Sequence, residues 1–155
     1  MKLAIIQIRG VINTNKDIKN TLKRLKLPKK NSCVIIDSNN SSLGMLVKLK
    51  DFVTWGELDK ETIKALLEKR AKLAGKKPLT EEYLKSKTKL TIDEFSTRLF
   101  EGKSKIKDVP GLKPFFRLTP PSGGFEKNGV KTPFSLGGAL GYRKEKINSL
   151  IRRMI

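Results

Sequence analysis

Apolar residues crowd the stretch Leu3 to Ile8, which ends at Arg9-Gly10, and this short, branched run predicts a central strand. Asn13-Thr14-Asn15 then offers helix caps, and Ile18, Leu22 and Leu25 recur at i, i+4 and i+7 on one face. That helix closes near Leu27-Pro28. Cys33-Val34-Ile35-Ile36 predicts a second strand, and Asp37 to Ser42 forms a polar connection with ready caps. Leu43, Leu46, Val47 and Leu49 mark the apolar side of a short helix. Phe52-Val53-Thr54-Trp55 predicts a third strand, closed by Gly56. Residues 1–56 thus read strand, helix, strand, helix, strand, a small unit with two helices against one face of a sheet.

The pattern changes over residues 57–102. Asp59 caps a helix whose Ile63, Leu66, Leu67 and Leu73 face inward and whose stop is Gly75. Thr80 caps a shorter one containing Tyr83 and Leu84. Thr91-Ile92-Asp93-Glu94 matches a capping box, with Leu90 and Phe95 placed for a hydrophobic staple and Gly102 at the end. Residues 103–143 run into an irregular loop. From Pro110 onward prolines and glycines exclude regular helix, although short paired strands would fit. Residues 144–155 return to helical spacing, with Ile147, Leu150, Ile151 and Met154 as the stripe.

Charge alters this picture more than length does. In 155 residues there are 34 Lys and Arg against 15 Asp and Glu, a formal charge of +19. Residues 1–56 hold 11 basic and 3 acidic side chains, residues 57–102 hold 11 and 9, and residues 103–155 hold 12 and 3. Two cationic segments flank a nearly neutral one. Such a chain repels itself unless a polyanion compensates it, and nucleic acid is the first candidate. The middle acids sit in the first turns of predicted helices, where the dipole favours them, so that segment reads as structural. The length is enough to bury a core without staples, and 37% apolar residues argue against wholesale disorder.

Other chemistry is sparse. The chain has no histidine, which removes His-based metal sites and Ser-His-Asp or Cys-His catalysis. Cys33 lies in an apolar run and reads as a buried, inert thiol; with no disulfide to place, a reducing cytoplasm is the expected setting. The N-terminal apolar stretch is too short for a signal-peptide core, so a soluble, intracellular protein is expected. Glu81-Glu82 and Asp93-Glu94 are consecutive and diverge on a helix, leaving no acid-base pair, and no cofactor loop is present.

The candidate binding residues fall in three groups. Lys19, Lys23, Arg24, Lys26, Lys29 and Lys30 belong to the first helix and the turn after it; a solvated face is the ordinary explanation, but Asp17 is the only nearby acid, which favours phosphate contact. Lys113, Arg117, Lys127, Lys131 and Arg143 are mixed with aromatics in the loop. Gly123-Gly124 and Gly137-Gly138 either let the main chain approach a phosphate or simply make turns. Phe115, Phe116, Phe125 and Phe134 either stack on unpaired bases or anchor the loop, and anchoring is the better explanation. Tyr142 and Trp55 are expected to be packed rather than exposed. Arg152 and Arg153 lie off the final apolar stripe.

The tail from Pro114 to Ile155 resembles the C-terminal region of the large-ribosomal-subunit protein family called L-thirty in archaea and L-seven in eukaryotes. The shared features are the Pro-Pro and Gly-Gly run, a Gly-Gly-x-x-Gly-x-Arg turn at Gly137–Arg143, and Ile-Asn-x-Leu-Ile-Arg-Arg-Met at the end. Ile5–Gly10, Thr21–Leu27 and Phe52–Gly56 agree at the front. Tyr142 and Ser122 depart from the pattern. The resemblance implies an α+β, ferredoxin-like βαβαβ core (1–56) with a small three-stranded antiparallel sheet, and an archaeal-type extension (57–155) packed on it. It implies that Arg9, Lys23, Arg24, Arg117 and Arg143 face rRNA. It also implies a non-enzymatic, cytoplasmic role in the ribosome, with large-subunit rRNA and ribosomal proteins as partners, 5S rRNA as a candidate neighbour, and neither membrane nor small-molecule substrate. The closest alternative is a free-standing RNA-binding or RNA-chaperone module; an RNA-modifying enzyme is the distant one.

Overall fold

The computed structural model describes residues 1–155. Its centre is β1 (Lys2–Gln7), buried along its whole length because antiparallel neighbours flank it and helices cover both faces. β2 (Ser32–Asp37) lies on one side and β3 (Val53–Glu57) on the other. Ile5 faces Val34 across one ladder and Trp55 across the other. Side chains alternate across a strand, so this register sends Leu3, Ile5, Val34, Val53 and Trp55 to one face and Ala4, Ile6 and Cys33 to the opposite one.

The first face is covered by α1 (Lys16–Arg24) and α2 (Asn40–Lys48), which contribute Leu22 and Leu46 to its core. The second is covered by α3 (Lys60–Arg70), α5 (Ile92–Phe100) and α6 (Lys146–Met154), which bury Leu66, Phe95, Ile147 and Ile151 against it; α4 (Glu81–Thr88) adds Leu84 to the same cluster. The sheet is therefore the middle of three layers, and the second layer encloses the larger share of the core. No helix is long and apolar enough to cross a membrane.

Two short strands from the loop extend the sheet. β4 (Phe116–Arg117) pairs antiparallel with the start of β2, and β5 (Gly141–Tyr142) pairs parallel with β3. The order is β4-β2-β1-β3-β5, a mixed five-stranded sheet within an α+β fold of the ferredoxin-like kind.

Helix ends follow their local chemistry. The Asn15 side chain accepts the Asp17 amide at the start of α1, and Thr91 and Glu94 exchange both bonds of a capping box at α5. Leu90 packs beside the cluster that holds Phe95, as a staple requires. α1 ends in a Schellman arrangement: the Leu27 amide reaches back to Leu22, with Lys26 in the left-handed region at φ 59°.

Two sequence expectations need correction. α3 ends at Arg70, not near Gly75, because Ala71 is extended and the chain bridges Lys72 to Pro78 and Leu73 to Leu112. Leu73 is buried from an extended segment. Gly56 does not close β3 but lies inside it, where a Cβ would overlap the Lys144 carbonyl and Ile147. Glycine at 56 is what lets the start of α6 lie directly on the strand.

Candidate nucleic-acid interface

α1 is short and amphipathic. Thr21 and Leu22 turn inward, and Lys16, Lys19, Lys23 and Arg24 occupy the exposed remainder. The turn after it exposes Lys26, Lys29 and Lys30. None of these cations has a carboxylate within ion-pair distance; Asp17, the one acid on the helix, faces Lys48 at 3.9 Å. Arg117 joins the group through the sheet: it sits opposite Ser32, whose amide binds the Lys29 carbonyl, and its side chain is exposed. Lys113 is half-buried nearby in sequence, its amide held by the Lys72 carbonyl. Arg9 is partly committed, its guanidinium 5.3 Å from the centre of the Phe52 ring and 3.3 Å from the Asp51 carbonyl.

The middle segment behaves differently. There Lys64 meets Asp93 at 2.6 Å and Glu68 at 3.8 Å, and Lys85 meets Glu81 at 3.1 Å. Lys64 and Lys85 are the ion-paired cations there, and with 9 acids among 11 bases the segment is nearly neutral as a whole, whereas α1 and its turn carry seven cations beside the single acid Asp17 and project a net positive field.

The Gly/Pro-rich loop divides: Pro114 and Phe115 lie beside α1, whereas the part from Phe125 to Leu140 lies on the opposite face of the sheet and is not brought together with that helix. Phe125, Val130, Ala139 and Leu140 tie that part to the core that α6 shares. Arg143, expected to face RNA, instead points into the protein and is 2% exposed. Its Nε donates to Thr54 Oγ1 at 2.8 Å, and its terminal nitrogens donate to Glu126 at 2.6 and 3.3 Å and to the Ala139 carbonyl at 2.8 Å. Phe134 lies under the guanidinium at 4.6 Å. With four of its five N–H donors engaged internally and the side chain buried, Arg143 staples the loop to β3 and is not presented to a phosphate. Burial pushes the Glu126 carboxyl up, but the Arg143 hydrogen bond, its own backbone amide and the Arg143 and Arg153 charges outweigh it and hold that group below its ordinary value.

The remaining loop residues divide. Gly123 and Gly124 both have φ +77° with open space around them, so the main chain there is accessible. Gly138 is buried, and a Cβ would overlap the Thr132 carbonyl; it is a glycine for internal packing, a correction to its expected phosphate approach. Gly137 caps a single helical turn at φ +81°. Lys127 and Lys131 are exposed. Arg153 binds the Ser122 and Gly124 carbonyls at 3.4 and 2.9 Å, which fixes the glycine pair, and Arg152 bonds Glu61 at 2.9 Å and Asp59 at 3.4 Å. Both arginines therefore already have partners within the chain.

The aromatics separate in the same way. Phe116 is fully buried, Phe134 carries Arg143 and Phe125 packs on the core, so these three anchor the loop. Trp55 is packed as expected. Tyr142 is not: it is 44% exposed on the β5 edge, its ring 6.3 Å from Trp55 and its hydroxyl donating to Glu57, a bond that raises the phenol's pKa. Thr54 and Glu126 were not singled out from sequence, although Glu126 is the only acid between Asp108 and Glu145 and so the only carboxylate within the loop itself.

Residues 3–53, the β1-to-β3 portion, match the family model for ribosomal protein L30p/L7e. Over its whole length the chain is similar to archaeal proteins named large ribosomal subunit protein uL30. The Methanopyrus kandleri protein is 49% identical across 96% of this chain and all of its own length. That of Methanococcus maripaludis is 46% identical across the whole of both chains. That of Nanoarchaeum equitans is 48% identical across 98% of this chain and 97% of its own. Likeness of that extent covers the ferredoxin-like core, the helical layer beneath it and the stapled loop alike, and the chain belongs to the ribosomal protein L30p/L7e family.

Proposed function

We propose that this chain is a non-enzymatic component of the large ribosomal subunit in the cytoplasm, where it binds and stabilises folded large-subunit rRNA. Lys19, Lys23, Arg24, Lys26, Lys29, Lys30 and Arg117 contact phosphates from one face. Lys127, Lys131 and the open backbone at Gly123-Gly124 meet RNA from the other. The observation that carries the reading is the contrast in local charge balance: seven cations of α1 and its turn stand beside one acid, Asp17, and none of them is ion-paired, while residues 57–102 set 9 acids among 11 bases. Displacement of RNA counterions drives such contacts, and they position the protein without reading bases. Residues 1–56 serve as the core unit and residues 57–155 as the extension packed on it. Neighbouring ribosomal proteins, and 5S rRNA beside them, are the remaining partners.

Sucrose-gradient sedimentation of cell extract tests this directly. Salt-resistant comigration with the large subunit is the expected result. Recovery exclusively in light fractions contradicts it and favours a free-standing RNA-binding module.

A further inference from the structure

One aromatic is unlike the other three of its loop. Phe115, just before β4, is half-buried and lines a groove of about 430 Å³ between that segment and α1. Val11 and Pro114 share the apolar floor with it, and Lys19, Lys23 and Lys26 form the rim. All three lysines are exposed and lack acidic partners. An apolar floor with a cationic rim is the surface complement of a flat, weakly polar ring attached to an anionic backbone. The volume lies in the range of about 300–1,000 Å³ that accommodates small organic ligands, which includes a single nucleotide.

We propose that this groove receives one unpaired RNA nucleotide, its base laid against Phe115 and its flanking phosphates held by Lys19, Lys23 and Lys26. The inference rests on the rRNA-binding reading above and adds a single-strand subsite to it. Base-on-aromatic stacking is the general device by which proteins hold unstacked bases without strict sequence preference. Phe116, the adjacent residue, cannot do this because it is fully buried beneath the sheet. An acidic peptide would satisfy the same lysines but brings no flat ring for the floor.

The test uses the full chain with methyl-labelled Val and Leu, titrated at fixed salt with an adenylate hexamer, a blunt RNA duplex and a glutamate hexapeptide. Expected are shifts of the Val11, Leu22 and Leu27 methyls with the hexamer and not with the duplex or peptide. Phe115→Leu, which keeps apolar bulk, should weaken hexamer binding about fivefold or more while leaving duplex binding within twofold, since stacking contributes roughly 1–3 kcal/mol per base. Wild-type methyl shifts decide the matter even if that variant folds poorly. Equal shifts with the duplex, a peptide that binds as tightly as the hexamer, or a silent groove beside intact duplex binding overturns the subsite and leaves the broader reading standing. Loss of all RNA binding overturns both.

Discussion

Replacing Arg143 with Met removes the guanidinium while keeping much of the side chain's length, and it separates a structural role from an RNA-binding one. Four hydrogen bonds of 2.6–3.3 Å disappear, leaving the Ala139 carbonyl, Thr54 Oγ1 and the Glu126 carboxylate without this partner. Breaking a buried ion pair from one side costs about 3–5 kcal/mol. Glu126 retains 22% side-chain exposure and has Arg153 at 3.9 Å, so part of its charge remains solvated and compensated, which puts the loss near about 3 kcal/mol. For a domain of this size that lowers Tm by roughly 6–12 °C. Calorimetry of the free chain reads the global effect, and amide exchange at Phe134 and Leu140, whose amides bond within the loop, reads local release. The same pair gives a pH signature. Glu126 is held below its unfolded value of about 4.3. Its contribution is therefore complete above that value and drains away as pH falls through the folded one. Arg143→Met should flatten that acid limb. A variant that melts within about 2 °C of wild type, keeps its loop protection and yet loses RNA affinity would refute the internal-staple account.

Further outcomes follow from the same geometry. Lys26→Gly should stabilise the free chain by about 1 kcal/mol, read as a higher urea midpoint, because the left-handed position is relieved, while RNA affinity falls with the lost charge. Gly56→Ala should cost about 1–3 kcal/mol in the same assay, since a Cβ there overlaps the Lys144 carbonyl and Ile147. Cys33, fully buried and with its thiol pushed up to about 12 by desolvation, should resist a disulfide reagent at pH 8 in the folded chain and react promptly once denatured.

Sequence periodicity revealed most of the fold because the strands and helices of residues 1–56 carry their own signals: a dense apolar run for β1, an i, i+4, i+7 stripe for α1, a capping box for α5. What it missed was set by tertiary contact. β4 and β5 are two residues each and exist only because β2 and β3 offer edges. The end of α3 differs from the sequence expectation because Leu73 extends a helical stripe on paper, whereas burial of Ala71 and Leu73 on either side of exposed Lys72 is the alternation of an extended chain. The outward orientation expected of Arg143 fails for a related reason. A basic residue after a glycine-rich turn looks anion-facing, and its partners Thr54 and Glu126 lie 89 and 17 residues away. A lone acid in a cationic loop was the available clue. By contrast, the scarcity of acids around the cations of α1 is legible locally, since Asp17 is the one acid near them in the sequence.

The most direct test is lysine acylation, compared by mass spectrometry between free chain and assembled large subunits. Lys19, Lys23, Lys26, Lys29 and Lys30 should lose reactivity on assembly, with Lys127 and Lys131 following, while Lys69 and Lys87 of the middle helices stay reactive. Undiminished labelling of the α1 and turn lysines inside the particle, or protection confined to the middle helices, would contradict the proposal that uncompensated cations on that face bind rRNA.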